Sequence, residues 1–253
     1  MNTIVHHLTT TACIALILLT VSCGAKISNK ETDASFNPAE MINGGLAILG
    51  CTSIVPDHPA PMKLSQELST DLRQALLKET IDVNVVTWGE VRRAVGDDFM
   101  LECLVANDEY GSLGKALVDS LAPVVGPLAR YVIVHRLESD VIELSDEDDK
   151  EFVDGEWIIK GTKLKTKRTL TGSFSVYDLR TRSRVWSAII EGNVTKERTI
   201  TADQDYDIGG WIGKVIDVVI FGDNTVQYPK PASNSQIMNK LYKKFAEELP
   251  KKD

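Results

Sequence analysis

The sequence predicts an α/β (α+β) chain: a single domain in which a mixed β-sheet carries helices packed on it. Three observations support this. The first half of the body alternates strand-like and helix-like segments, the pattern of a sheet with helical cover. The second half is dominated by runs of period two, which mark strands with one buried and one wet face. A last segment, Ile237, Leu241, Phe245 and Leu249, returns to helical spacing. At 43% hydrophobic and 25% charged residues the composition is that of a globular protein,.

The elements follow in order. Gly44–Gly50 (GGLAILG) is a short continuous apolar run, as in a buried strand,. Pro56, Pro59 and Pro61 punctuate the loop after it,. Across Lys63–Glu79, residues Leu64, Leu68, Leu72, Ala75 and Leu76 fall on one helical face,. Ile81–Val86 alternates as a strand. Thr87 and Glu90 make a capping box for a short helix that Gly96 closes,. Phe99–Val105 and Leu113–Leu121 read as helices separated by a break at Asn107–Gly111, and Pro123, Gly126 and Pro127 end that region,. Arg130–Leu144 begins as a β-branched strand.

Next comes an acidic stretch with Asp146, Glu147, Asp148, Asp149, Glu151 and Asp154. The central Gly and terminal Glu of a calcium loop are missing, so it reads as a solvated hairpin tip. From Lys163 every second residue is polar: Lys163, Lys165, Lys167, Thr169, Thr171, Ser173 and Ser175. Leu164, Leu170, Phe174 and Val176 take the other face. The row Lys163, Lys165 and Lys167 is a candidate surface for steering an acidic partner. Its alternative is a wet face beside the acidic tip, where exposed pairs are individually weak. Ser175–Gly192 then reads as two strands meeting at a tight turn around Arg180–Ser183,. Trp211–Phe221 is apolar but holds Lys214 and Asp217, and is too short to span a bilayer as a helix; it is expected to pack on the sheet,. Pro229 and Pro231 precede the closing helix, and Pro250 stops it,.

The final hairpin resembles that of the CsgG-like superfamily, whose pattern is "DxxTGxxxW". Asp178, Thr181 and Trp186 match it, and Arg182 stands where the glycine is usual. The upstream run LARYVIVHRLES (Leu128–Ser139) resembles the family's "AdyliVGritS" strand, with His135 in place of Gly, and Leu64–Leu76 matches its first long helix. The superfamily includes the curli-secretion lipoprotein, lipoprotein activators of penicillin-binding proteins and the amino-terminal domain of TolB. The likeness spans roughly Gly44–Gly192 and rests on structural motifs. It implies a fold, and a setting in the bacterial cell envelope.

The amino-terminal segment agrees with that setting. IALILL (Ile14–Leu19) lies in an apolar and neutral region from Leu8 to Val21, the length of a signal h-region and shorter than a spanning helix,. It ends in Leu19-Thr20-Val21-Ser22-Cys23, which resembles the bacterial lipobox, although Thr20 replaces the usual leucine and the segment begins without Lys or Arg. The expectation is a signal peptide over residues 1–22 and a lipidated Cys23. Several acyl chains there would hold the protein at a membrane, where one chain holds only marginally. Gly24 fits the outer membrane, facing the periplasm, because an Asp after the cysteine favours inner-membrane retention in enterobacteria. Residues 23–42 are polar and aperiodic, as in a flexible tether, and residues 43–250 form the domain,. The remaining body cysteines are Cys51 and Cys103, the minimum for a disulfide in an exported chain,. Two buried thiols are the leading reading, and a bridge the alternative.

The chemistry is sparse. His58 and His135 are the only histidines of the body, neither in a zinc-binding pattern, and His135 shares a strand face with Ile133 and Leu137 as a core histidine would,. Gly111–Lys115 (GSLGK) has Glu109 and Ala116 where a phosphate loop needs Gly and Ser or Thr,. No metal or cofactor is expected. A net charge of −8 opposes nucleic acid,. The reading is a lipid-anchored, non-enzymatic adaptor or assembly factor that binds other envelope proteins and could self-associate. Its rivals are a subunit of a curli-type secretion pore, which needs hairpins with a lipid-facing band, and a periplasmic hydrolase, which needs converging carboxylates or a His pair.

Overall fold

The computed structural model describes residues 24–34, 36–37, 39–79, 83–201 and 228–249. Along the chain come β1 (Lys26–Thr32), α1 (Glu40–Gly44), β2 (Leu46–Ser53), α2 (Pro61–Glu79), β3 (Val85–Val86), α3 (Trp88–Val95), α4 (Asp97–Tyr110), α5 (Lys115–Val125), β4 (Tyr131–Val153), β5 (Glu156–Asp178), β6 (Ser183–Thr201) and α6 (Asn234–Ala246). The described strands form one mixed sheet of six, in the order β1-β6-β5-β4-β2-β3. Strand β2 lies parallel to β3 and β4, while β4, β5, β6 and β1 pair antiparallel. Parallel neighbours need a crossover. Helix α2 provides one, and α3, α4 and α5 together provide the other. This is the single α/β domain that the alternation predicts.

One core runs from Met41 to Leu249. Strand β2 is buried from Leu46 to Thr52, and β4 from Tyr131 to His135. Successive residues of a strand face opposite ways, so unbroken burial means cover on both faces. Leu64, Leu68, Leu72 and Leu76 of α2 are buried as their spacing requires. Thr87 and Glu90 form the expected capping box, and Gly96, at φ 82°, caps α3. A second box, Ser233 with Gln236, starts α6. The β2–β4 ladder skips Leu49, a bulge beside Gly50,. Next to it the Ser65 hydroxyl accepts from the Cys51 N–H and donates to the Cys51 carbonyl, both at 2.9 Å.

Several segments differ from expectation. Lys26–Thr32, placed in the tether, is an edge strand paired with β6 from Lys26 opposite Glu191 to Thr32 opposite Trp186. It is almost wholly exposed, so neither face imposes apolar alternation and its polar sequence reads as linker. Lys26–Thr32 therefore belongs to the sheet. Helix α4 runs through Asn107 to Tyr110 and ends at Gly111, in the left-handed conformation at φ 67°. Asn107 favours turns in isolation. Here its amide donates to Thr52 Oγ1 at 2.8 Å and to the His135 carbonyl at 3.2 Å, which holds it inside the helix. Of the expected strand Ile81–Val86, only Val85–Val86 is strand, and residues 80–82 lie outside the described set. The expected signal peptide, Cys23, the Trp211–Phe221 stretch and Pro250 also lie outside it.

Gly50 lies at a close contact of helices with sheet. Its φ is +148°, and a Cβ there would lie 2.5 Å from Ser65 Oγ and 2.8 Å from Leu104 Cδ2. Gly50→Ala is expected to destabilise the domain by about 3 kcal/mol, through overpacking and an unfavourable backbone, measured by chemical denaturation.

Candidate functional site: a hairpin arm

The polar and reactive groups of the body are used to hold the fold. Cys51 and Cys103 are both free and buried, and no bridge joins them. Burial, with Asp108 nearby, pushes the Cys51 thiol well up, and burial pushes Cys103 up to about 12, so neither is a poised nucleophile,. His135 is a core residue: its Nε2 bonds the Tyr242 hydroxyl at 2.8 Å and its ring stacks on Phe174, with centroids 5.1 Å apart. Burial pushes it down to about 3, so it is neutral at ordinary pH. In Gly111–Lys115 the glycines cap α4 and α5, and Lys115 bonds Asp119 at 3.0 Å. Among the described residues no three His, Cys, Asp or Glu side chains are grouped to hold a metal ion.

The residues behind the family resemblance make a turn. The Asp178 carboxylate accepts from Arg130 Nη2 at 2.6 Å and from the Arg180 N–H at 2.8 Å, and Arg130 also meets Glu40. Burial raises the Asp178 carboxyl, but these donors outweigh it and hold it below the usual carboxylate value. Arg182 has φ 58°, the left-handed conformation that explains a glycine in the family pattern,. Trp186 packs on Phe245, with centroids 5.4 Å apart.

What the body does not use is the far half of β4 and β5. Both strands are 23 residues long. Beyond Leu170, the last β5 residue in the main core, about 14 residues continue to the turn, a projection of roughly 45 Å at 3.3 Å per residue. Strand β6 accompanies them as far as Thr201, opposite Gly161. The arm closes in a two-residue turn, Asp154 at φ 53° and Gly155 at φ 93°. Two positive φ values match the twist of a hairpin, which is why Asp-Gly serves here.

The acidic stretch is mostly strand, not tip. On one face Lys163 meets Asp149 at 2.7 Å, Lys165 meets Glu147 at 2.6 Å and Glu197 at 3.6 Å, and Lys167 meets Glu143 at 2.9 Å. The carboxylates hydrogen-bond each ammonium and raise its pKa. The proposed steering row is therefore neutralised by its own neighbouring strands. On the other face Thr162, Leu164 and Thr166 are buried. The segment before α6 crosses it: Arg168 donates to the Ala232 carbonyl at 2.9 Å and pairs with Asp140, and Tyr228 donates to Asp146 at 3.5 Å. Charged residues thus interrupt both faces. At the end, Phe152 stands opposite Trp157, with centroids 5.3 Å apart, and the two are 57% and 69% exposed, with Ile158 beside them at 45%.

Neither a family model nor a curated protein matches this sequence. Solved structures with a similar chain arrangement include a PelC dodecamer from Paraburkholderia phytofirmans (13% identity, 90% of this chain and 99% of that one, TM-score 0.38). Others are the lipoprotein GNA1162 from Neisseria meningitidis (11%, 70% and 95%, 0.32) and the LpoB C-terminal domain from Salmonella enterica (11%, 65% and 93%, 0.30).

Two outcomes follow from this geometry. Reversing Lys163, Lys165 and Lys167 to Glu sets like charges across the strands, at about 0.2–1 kcal/mol for each pair. Amide exchange in the arm should quicken while the body's melting temperature hardly moves; unchanged exchange would show that the ladder does not hold the arm. His135 is neutral when folded and takes a proton when unfolded below the ordinary histidine pKa of about 6.5. Its contribution is fully present above that value and is lost as pH falls towards 3, at up to about 1.4 kcal/mol per unit. Denaturation midpoints between about pH 6.5 and 5 should fall for the wild type and flatten for His135→Gln.

Proposed function

We propose that this chain is a lipid-anchored cell-envelope protein, attached through Cys23 to the outer membrane on its periplasmic side, and that it acts without catalysis as an adaptor or assembly factor for other envelope proteins. The observation that carries the reading is the arm. It keeps most of its charges in internal pairs and presents an exposed Phe152–Trp157 pair at its end. Aromatic anchors of this kind dominate protein contacts. The placement of β1 adds to it. Cys23 precedes Lys26 by three residues, at most about 10 Å of chain, and Lys26 pairs with Glu191 at the sheet edge. A lipid on Cys23 would hold that edge close to a membrane and raise the local concentration of the arm for partners there. A pore hairpin needs a continuous apolar band towards lipid; on the arm the exposed Ile142 and Leu144 are flanked by Asp140, Arg168 and Asp146.

Replacing residues 147–163 by an Asp-Gly turn joins the paired residues Asp146 and Leu164 and shortens the arm in register. In-cell cross-linking followed by mass spectrometry should then lose the partners recovered with the wild type, while the body's melting temperature holds. In parallel, Cys23→Ser should abolish the acyl mass and release the protein from the membrane fraction. Equal partner recovery from the shortened chain would refute the arm as the contact element, and a wild type without acyl mass would refute the anchor.

A further inference from the structure

We propose that the tip of the arm docks into a groove at the β3 edge of a second copy of this chain, joining copies head to tail. The inference rests on the reading of the arm as a contact element and names its occupant. The tip has an apolar centre, Phe152, Trp157 and Ile158. Around it Glu147, Asp148, Asp149 and Glu151 are paired with Lys165, Lys150, Lys163 and Lys160, so the open acidic charge lies at the turn itself. Asp154 and Glu156, next to the aromatic pair, make no salt bridge among the described residues. A surface of this kind fits an apolar groove with cationic walls.

The chain itself carries a groove that sets apolar side chains beside cations, next to the edge strand β3. Strand β3 is the outermost strand and only two residues long. Beside it opens a groove of about 930 Å³ lined by Val85, Val86, Pro127 and Leu128 together with polar side chains, among them Asn84, Arg73 and Arg93. Leu128 is 41% exposed, and neither arginine makes a salt bridge among the described residues. Glu90 also lines the groove; its carboxylate is held by the Thr87 N–H at 2.8 Å and the Thr87 hydroxyl at 2.7 Å, and the charges of Arg93 and Arg73 act on it as well, which leaves the groove with one cation in excess. A tip with an aromatic pair and two unpaired carboxylates and a groove with apolar side chains and a net positive charge are complementary in charge and in character. Because the two surfaces differ, the contact is heterologous: each copy offers one tip and one groove, and copies add in one direction.

The test uses the full protein in detergent, with mass read by sedimentation or light scattering. At about 100 μM, a concentration that populates contacts of moderate strength, the wild type should form species larger than a dimer. They should dissociate as salt rises from about 50 to 500 mM. Trp157→Ala and the double variant Arg73→Glu with Arg93→Glu should each weaken association by roughly 30-fold, the loss of one strong anchor. Trp157→Phe keeps an aromatic anchor and should associate close to the wild type. Unchanged melting of each variant shows that the fold is intact. The decisive sample mixes the two defective variants. One keeps its tip and the other its groove, so they should pair one to one and stop at the dimer. A monomeric wild type, or a mixture no larger than its separate components, overturns the proposal. If the shortened arm still loses its cross-linked partners in that case, the adaptor reading stands without self-docking.

Discussion

Tyr131–Val153 and Glu156–Asp178 stay in one antiparallel ladder from the buried body to the exposed turn, shifted only at two bulges. Everything else depends on that register. A slip of one residue would turn every side chain of β5 to the wrong face. Phe174 would leave its place between His135, Tyr242 and Phe245, and Lys163, Lys165 and Lys167 would leave their carboxylates. The register is thus fixed twice, by packing in the body and by charge in the arm. The first bulge, which skips Glu138, marks where one regime gives way to the other. Glu138 turns to Arg136 and Ser173, and beyond it no residue of β4 is buried.

The division explains why the body offers little chemistry. A buried polar group without a partner costs more than a hydrogen bond returns, so Asn107, Ser65, His135 and Asp178 are each tied to backbone or to a core neighbour. Those ties place α2, α4 and α6 on the sheet and fix the final turn. Side chains so committed are poorly suited to change protonation or ligand during a reaction. The exposed aromatic pair at the tip of the arm has no such tie to the body.

A lipid on Cys23 would sharpen this geometry. Strand β1 holds the chain to the sheet only three residues after that cysteine, and Lys30 ties the strand to Glu248. An anchor joined so closely to a rigid edge constrains how the domain, and with it the arm, can be oriented at a membrane. A long flexible tether would impose no such constraint.

Much of the body was legible because local rules and tertiary packing agree there. The leucines of α2, the Thr87–Glu90 box, the apolar run of β2 and the turn after Asp178 each state their structure within a few residues. The alternation of Lys163–Val176 likewise revealed a strand with two unlike faces. Three features could be decided only by the folded chain. Strand β1 is an exposed edge, so its sequence has no burial pattern to report. Asn107 stays helical because Thr52 and His135, distant in sequence, satisfy its amide. The lysine row and the acidic stretch look like separate charged surfaces in one dimension, and become one neutralising ladder once the hairpin register sets them opposite each other. Spacing along a chain reports which face a residue takes; pairing between strands decides what that face meets.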